Sequence, residues 1–164
     1  MRITLIHNPK AGDAKHGKKQ LMAALAKAGH HATYQSTKEP GVKKALKAPT
    51  DLVLAAGGDG TIAKVASRLV DTGIPLSVLP LGTANNLPRA LGFVASSEEI
   101  IARLEGGKKQ AFDVGFAHGP WGERCFFDAA GGALLADYVR AAKKEEKRPK
   151  RLRSFPGAIF FGKQ

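Results

Sequence analysis

The run Leu52–Thr61, LVLAAGGDGT, constrains this chain more than any other stretch. Leu52, Val53 and Leu54 are consecutive bulky apolar residues, the pattern of a strand buried on both faces of a parallel sheet. Gly57, Gly58 and Gly60 fall close behind them, which predicts a sharp turn through positive φ and a backbone free of obstructing side chains. Ile62, Val65, Ala66 and Leu69 follow at i, i+3, i+4 and i+7, so a helix is expected to begin where the turn ends. The first N–H groups of such a helix have no intrahelical partners and carry the positive end of its dipole, which suits a phosphate. Asp59 lies in the same turn, and a carboxylate beside free amides binds an anion only when a cation joins them. The combination points to a metal-nucleotide. A tight structural turn with a solvated Asp is the plainer alternative.

The rest of the chain repeats this strand-loop-helix arrangement. Ile3, Leu5 and Ile6 predict a first strand ending at Asn8-Pro9-Lys10-Ala11-Gly12, where Pro9 and Gly12 break it. Leu21, Met22, Leu25 and Ala28 recur at helical spacing, and Gly29 supplies the stop. Ala32–Gln35 reads as a second strand, Val42–Lys47 as a short helix and Asp51–Ala56 as the third strand. After a helix over Ile62–Val70, Leu76–Leu79 forms a fourth strand that ends at Pro80-Leu81-Gly82-Thr83-Ala84-Asn85-Asn86. Leu87, Ala90 and Leu91 suggest a short helix, and Ser96 or Ser97 caps another that runs to about Leu104. Strands alternating with helices imply a parallel sheet with right-handed crossovers, whose ligands collect at the carboxyl ends of the strands. The three glycine-bearing loops all fall at those ends.

From Gln110 the pattern changes. Ala111–Ala117 and Arg124–Asp128, joined through His118–Gly122, read as a β-hairpin. Leu134, Leu135, Tyr138 and Val139 suggest a helix that runs into a basic stretch, Arg140–Arg153, and then Phe155–Phe161. The expected organisation is an α/β domain over residues 1–110, followed over 111–164 by the opening of a β-rich second domain that the chain does not complete.

The formal charge of +12 favours polyanionic partners: nucleotide phosphates, anionic lipid surfaces or nucleic acid. Nucleic acid is disfavoured, because no aromatic-rich stacking face or recognition motif accompanies the basic excess. The single Cys125 excludes an internal disulfide and fits a reducing, cytoplasmic compartment. No apolar run approaches the roughly 20 residues that a membrane helix needs, and MRITLIHNPK reads as a strand, not a signal peptide. His7, His16, His30, His31 and His118 share no metal-binding spacing.

Two phosphate signatures are nearly met, and each fails on a physical requirement. Gly12–Lys19 reads G-x-x-x-x-G-K-K, but Lys19 cannot offer magnesium the hydroxyl that a Walker A loop requires. Gly58-x-Gly60-x-x-Ala63 fits a dinucleotide fingerprint, yet no acidic residue lies about 20 residues further on to hold the ribose.

Together, Asn8-Pro9-Lys10-Ala11-Gly12, Gly57-Gly58-Asp59-Gly60-Thr61 and Pro80-Leu81-Gly82-Thr83-Ala84-Asn85-Asn86 resemble the diacylglycerol kinase catalytic family, which includes bacterial lipid kinases, diacylglycerol kinases and sphingosine kinases. The motifs stand in the family's order at strand ends, and the match covers Met1 to about Asp113. The resemblance implies a parallel-sheet α/β nucleotide-binding domain like that of phosphofructokinases and NAD kinases, followed by a β-sandwich, with ATP between them. It implies that Asn8, Pro9, Lys10, Ala11 and Gly12 approach the nucleotide. Gly57, Gly58, Asp59, Gly60 and Thr61, continuing into Ile62 and Ala63, would cradle the phosphates. Thr83 would add a hydroxyl contact, with Asn86 in the same motif, and Thr37 falls where the family places another ATP-contacting threonine. The family often has Asn-Glu where this chain has Ala63-Lys64, and Asp where it has Asn86.

The resulting expectation is an ATP-dependent lipid kinase, or its nucleotide-binding half, that passes the γ-phosphoryl group to an acceptor such as diacylglycerol. Mg2+ would draw off charge, and Asp59 is the candidate catalytic and metal-binding carboxylate. The family's own catalytic carboxylate lies late in its second domain, past the point where this sequence stops. Basic residues would hold the protein at the inner face of an anionic membrane, and a homo-oligomer stays open. A non-catalytic nucleotide-binding module and an NAD-kinase-like enzyme are the rival readings.

Overall fold

Strands β1 (Arg2–His7), β2 (His31–Ser36), β3 (Leu52–Gly57) and β4 (Leu76–Pro80) form one parallel sheet in the order β2-β1-β3-β4. The computed structural model describes residues 1–12, 16–120 and 122–127. Burial follows strand position. All six residues of central β3 are buried, and β1 is buried after Arg2, whereas edge strand β2 shows a mixed pattern of exposed and partly covered residues. Leu52, Val53 and Leu54 therefore do what an unbroken apolar run requires, covering both faces of a sheet.

Alternate residues of those strands feed two cores. Leu5, Leu52, Leu54 and Leu79 pack on one face with Leu21 and Leu25 of α1 (Lys18–Lys27) and Ile100 and Ile101 of a later helix, Ser97–Ala102. Ile6, Val53, Ala55 and Val78 pack on the other with Leu46, which follows α2 (Val42–Ala45), and with Ile62 and Val65 of α3 (Asp59–Ala66). Leu87 of α4 (Asn86–Ala90) joins this second cluster, and Ser97–Ala102 is α5. The side chains switch faces with the period of two that a strand imposes, and the helices divide between the faces accordingly.

The expected elements are present, with shifted ends. Gly29 stops α1 at φ +78°, its N–H bonded to the Ala26 carbonyl at 3.0 Å. Ser96 is the cap of α5: its hydroxyl accepts from Glu99 N–H at 3.3 Å, while the Glu99 carboxylate accepts from Ser96 N–H at 2.9 Å. One expectation fails in detail. Helix α3 starts at Asp59, three residues before Ile62, so Asp59, Gly60 and Thr61 form its first turn. None of Gly57, Gly58 and Gly60 takes positive φ; Gly58 is extended at φ −88°, ψ 179°. These glycines serve space, not handedness.

Beyond α5, β5 (Gly115–Gly119) and β6 (Gly122–Phe126) pair antiparallel as the expected hairpin, shorter at its first strand. The proposed helix at Leu134–Val139, the basic run Arg140–Arg153 and Phe155–Phe161 lie outside the described residues.

Strand order places the site. The chain moves from β1 outward to β2, then crosses back to β3 and on to β4, so the direction of winding reverses between β1 and β3. Connections leave the carboxyl ends of these two neighbours on opposite sides and open a crevice there. The loops at that crevice are Asn8–Gly12 and the glycine turn.

Candidate functional site

A cleft of about 650 Å³ opens at these strand ends. Of the residues singled out from sequence, Asn8, Ala11, Gly12, Thr37, Gly58, Asp59, Gly60, Thr61 and Thr83 line it. Pro9 and Lys10 lie exposed on the first loop, and Ile62 is packed into the core at 1% exposure. Gly57 closes β3, Ala63 lies within α3 and Asn86 begins α4; none of the three lines the cleft.

Three loops distant in sequence are tied to one another here. The Asn8 amide nitrogen donates to Thr61 Oγ1 at 3.3 Å, which joins the first loop to α3. The Asn8 carboxamide oxygen accepts from Lys10 N–H at 3.2 Å and holds the loop's own curl. Asp59 Oδ1 accepts from Leu87 N–H at 3.0 Å, so its carboxylate caps α4 and links the second loop to the third. Asn85, at φ +51°, accepts from Gly82 N–H at 2.9 Å and donates to the Gly82 and Pro80 carbonyls at 2.7 and 3.2 Å. It closes the third loop on itself.

Glycine makes these contacts possible. A methyl group at Gly82 would stand 2.5 Å from Gly58 Cα, so the second and third loops touch backbone to backbone. One at Gly57 would stand 2.7 Å from Thr61 Cβ, and one at Gly12, φ +61°, would collide with the Leu81 carbonyl oxygen. Gly60 differs. A methyl group there would meet nothing within 4 Å, and its φ is not positive. Neither packing nor backbone conformation requires glycine at that position, which faces the cleft at the start of α3, where helix N–H groups lack partners.

Beneath the first loop, His7 is 2% exposed, with Nδ1 3.1 Å from the Tyr34 hydroxyl. Burial pushes its pKa below the usual histidine range, and the charge of His16 pushes the same way. Both effects favour the neutral imidazole at the root of the loop, and Lys18 Nζ stands 4.6 Å above the Tyr34 ring.

Lys38, Lys64, Arg68 and Gly82 also line the cleft and were not singled out from sequence as binding residues. A signal existed for two of them: Gly60, Lys64 and Arg68 recur every fourth residue, a helical spacing that α3 carries through Lys64 and the following turn continues to Arg68. Among the described residues, no three or more His, Cys, Asp or Glu gather to hold a metal ion. Among the described residues, Asp59 is the one carboxylate lining the cleft, with one oxygen already engaged by Leu87. These residues do not make a resident magnesium site. A metal ion reaching the cleft would meet Asp59 as the one described carboxylate there.

Residues 2–117 match the family described as the diacylglycerol kinase catalytic domain. The chain belongs to that family. It is 32% identical over 148 residues to a diacylglycerol kinase of Bacillus subtilis, covering 83% of this chain and 47% of that protein. It is 32% identical over 153 residues to a probable YegS-like lipid kinase of Pseudomonas aeruginosa, covering 89% and 48%. An uncharacterized protein of Synechocystis is 58% identical over 95 residues, 58% of this chain and 21% of that one. A crystal structure of a diacylglycerol kinase from Bacillus anthracis superposes with a TM-score of 0.56 at 28% identity, covering 69% of this chain and 44% of the other. The chain thus spans about half the length of the diacylglycerol and YegS-like lipid kinases it matches. No helix among the described residues is long and apolar enough to cross a membrane.

Proposed function

We propose that this chain forms the nucleotide-binding half of an ATP-dependent lipid kinase, with ATP seated in the cleft at the β1/β3 switch point. The observation that carries this reading is Gly60, which leaves an unfilled, backbone-lined space at the start of α3 that the fold itself does not need. The amides of Gly58–Gly60 would face the phosphates as fixed donors, with no reorganisation needed when charge develops. Asn8 and Thr83 would flank them from the first and third loops. In the transfer, the primary hydroxyl of a diacylglycerol-like lipid forms the new bond to the γ-phosphorus. The bond to the β–γ bridging oxygen breaks, and ADP leaves with that electron pair. The hydroxyl proton passes to a base, and Asp59 is the carboxylate at the cleft to receive it. Positioning and charge neutralisation carry most of such a reaction. The basic excess of +12 suits an anionic lipid surface, each Lys or Arg near it contributing on the order of 1 kcal/mol.

A second reading is a non-catalytic nucleotide-binding module, favoured by the engagement of Asp59 Oδ1 with Leu87. Transfer of labelled phosphate from ATP to diacylglycerol in mixed micelles separates the two. Turnover by the purified chain, lost in Asp59→Ala, supports the kinase. ATP binding without turnover fits the module and equally a nucleotide-binding half that does not act alone, and no ATP binding removes both.

A further inference from the structure

The cleft carries fixed positive charge of its own. Gly60 and Lys64 lie along one face of α3, Arg68 follows in the turn just past its end, and all three line the cleft. The Arg68 guanidinium Nη1 donates to the Lys64 carbonyl at 2.6 Å, which lays that side chain back along the helix toward its N-terminus. Lys38 lines the cleft from the segment between β2 and α2. Among the described residues, one carboxylate, that of Asp59, stands against these three cations, with one oxygen bonded to Leu87 N–H. The free N–H groups at the start of α3 add partial positive charge in the same place. In nucleotide sites a divalent cation neutralises phosphate oxygens and is held by one or two carboxylates together with those phosphates. Fixed protein cations at this cleft offer the first service, and the described residues offer little toward the second.

We infer that the cleft takes a nucleoside triphosphate as the free polyanion, with Lys64, Arg68 and Lys38 as its counter-charges, so that binding does not depend on a divalent cation. This rests on the nucleotide-binding reading above. It concerns binding only; the phosphoryl-transfer step can keep its own metal requirement. Lys64 holds the central place, one turn beyond Gly60 on the same helix face and exposed to incoming phosphate. Arg68, a further turn along, meets the distal part of the polyanion. Lys64 is carried by α3 and Arg68 by the turn at its end, whose guanidinium is tied to the Lys64 carbonyl.

Isothermal titration calorimetry of the full chain with ATP, once with excess Mg2+ and once with EDTA, tests this. The inference predicts dissociation constants within about threefold of each other, a difference below 1 kcal/mol. Binding that is more than about tenfold weaker in EDTA overturns it and leaves the nucleotide reading standing. Absence of binding under both conditions overturns both. Lys64→Glu, checked for folding by its melting temperature, is predicted to weaken metal-free ATP binding by at least about tenfold, with a smaller loss when Mg2+ is present. Lys64→Arg is predicted to keep wild-type metal-free affinity to within about threefold. An unchanged metal-free affinity in Lys64→Glu also overturns the inference.

Discussion

Replacing Gly60 with alanine separates what the fold needs from what a ligand needs. Gly60 sits in the first turn of α3, and a methyl group there meets no protein atom within 4 Å. Alanine is the better helix former by up to about 1 kcal/mol, so Gly60→Ala should be neutral or slightly stabilising. In a domain of this size that raises the melting temperature by at most about 2–4 °C. The same methyl group would stand in the space where a phosphate oxygen must approach the amide of Gly60. Loss of one charge-assisted hydrogen bond costs about 1.5–3 kcal/mol, which weakens ATP binding about tenfold to a hundredfold. Gly82→Ala is the contrasting variant. Its methyl group would stand 2.5 Å from Gly58 Cα and 2.8 Å from Asn85 Oδ1, an overpacking that costs about 1–3 kcal/mol of stability. Thermal denaturation followed by calorimetric titration reads both quantities on each variant. A Gly60→Ala protein that melts normally and binds ATP with wild-type affinity would refute the placement of phosphates against this turn.

Other perturbations test neighbouring parts of the structure. Asp59→Ala removes the acceptor for Leu87 N–H and should lower stability by about 1–3 kcal/mol in denaturant titration, whereas Asp59→Asn keeps an acceptor and should lose less. Both variants should lose phosphoryl transfer to lipid, since neither retains the carboxylate. His7 has its folded-state pKa lowered by burial, so its contribution to stability is complete above the unfolded value near 6.5 and is lost as pH falls through the folded value. Melting temperatures should therefore drop as pH is lowered below about 6.5, and His7→Gln should flatten that slope; an unchanged slope would show that His7 is not its source. Arg2 holds the Asp51 carboxyl down to about 2 through a hydrogen-bonded ion pair at 2.7 Å. Arg2→Ala should return it toward the ordinary carboxylate range, as followed by carboxyl carbon shifts in an NMR titration.

Much of the fold was legible because the sequence signals its own periodicities. The unbroken apolar run at Leu52–Leu54 marked a strand covered on both faces, and Leu21 and Leu25 marked the covering helix. Gly29 and Ser96 marked helix ends because their chemistry is local. The role of the glycines in the central turn was misread for a tertiary reason. Positive φ is what a lone sequence suggests, but Gly57 and Gly58 are small because Thr61 and Gly82 lie against them, and Gly82 arrives from another loop. The bond from Leu87 N–H to Asp59 spans 28 residues, so no spacing rule reveals it. Asn85 looked like one more polar loop residue until its three hydrogen bonds were seen to close that loop. Lys64 and Arg68 were visible as an i, i+4 pair, yet only the fold shows that this helix face borders the cleft.

An amide NMR titration of the chain with ATP reports most directly on whether three strand-end loops share one phosphate seat. The account predicts joint, saturable shifts of Gly12, Gly58–Thr61, Gly82 and Thr83, with one dissociation constant for all. Shifts confined to the opposite strand ends, where His30, Thr33 and Thr50 line a second hollow of about 400 Å³, or saturation of the three loops at different ATP concentrations, would contradict it.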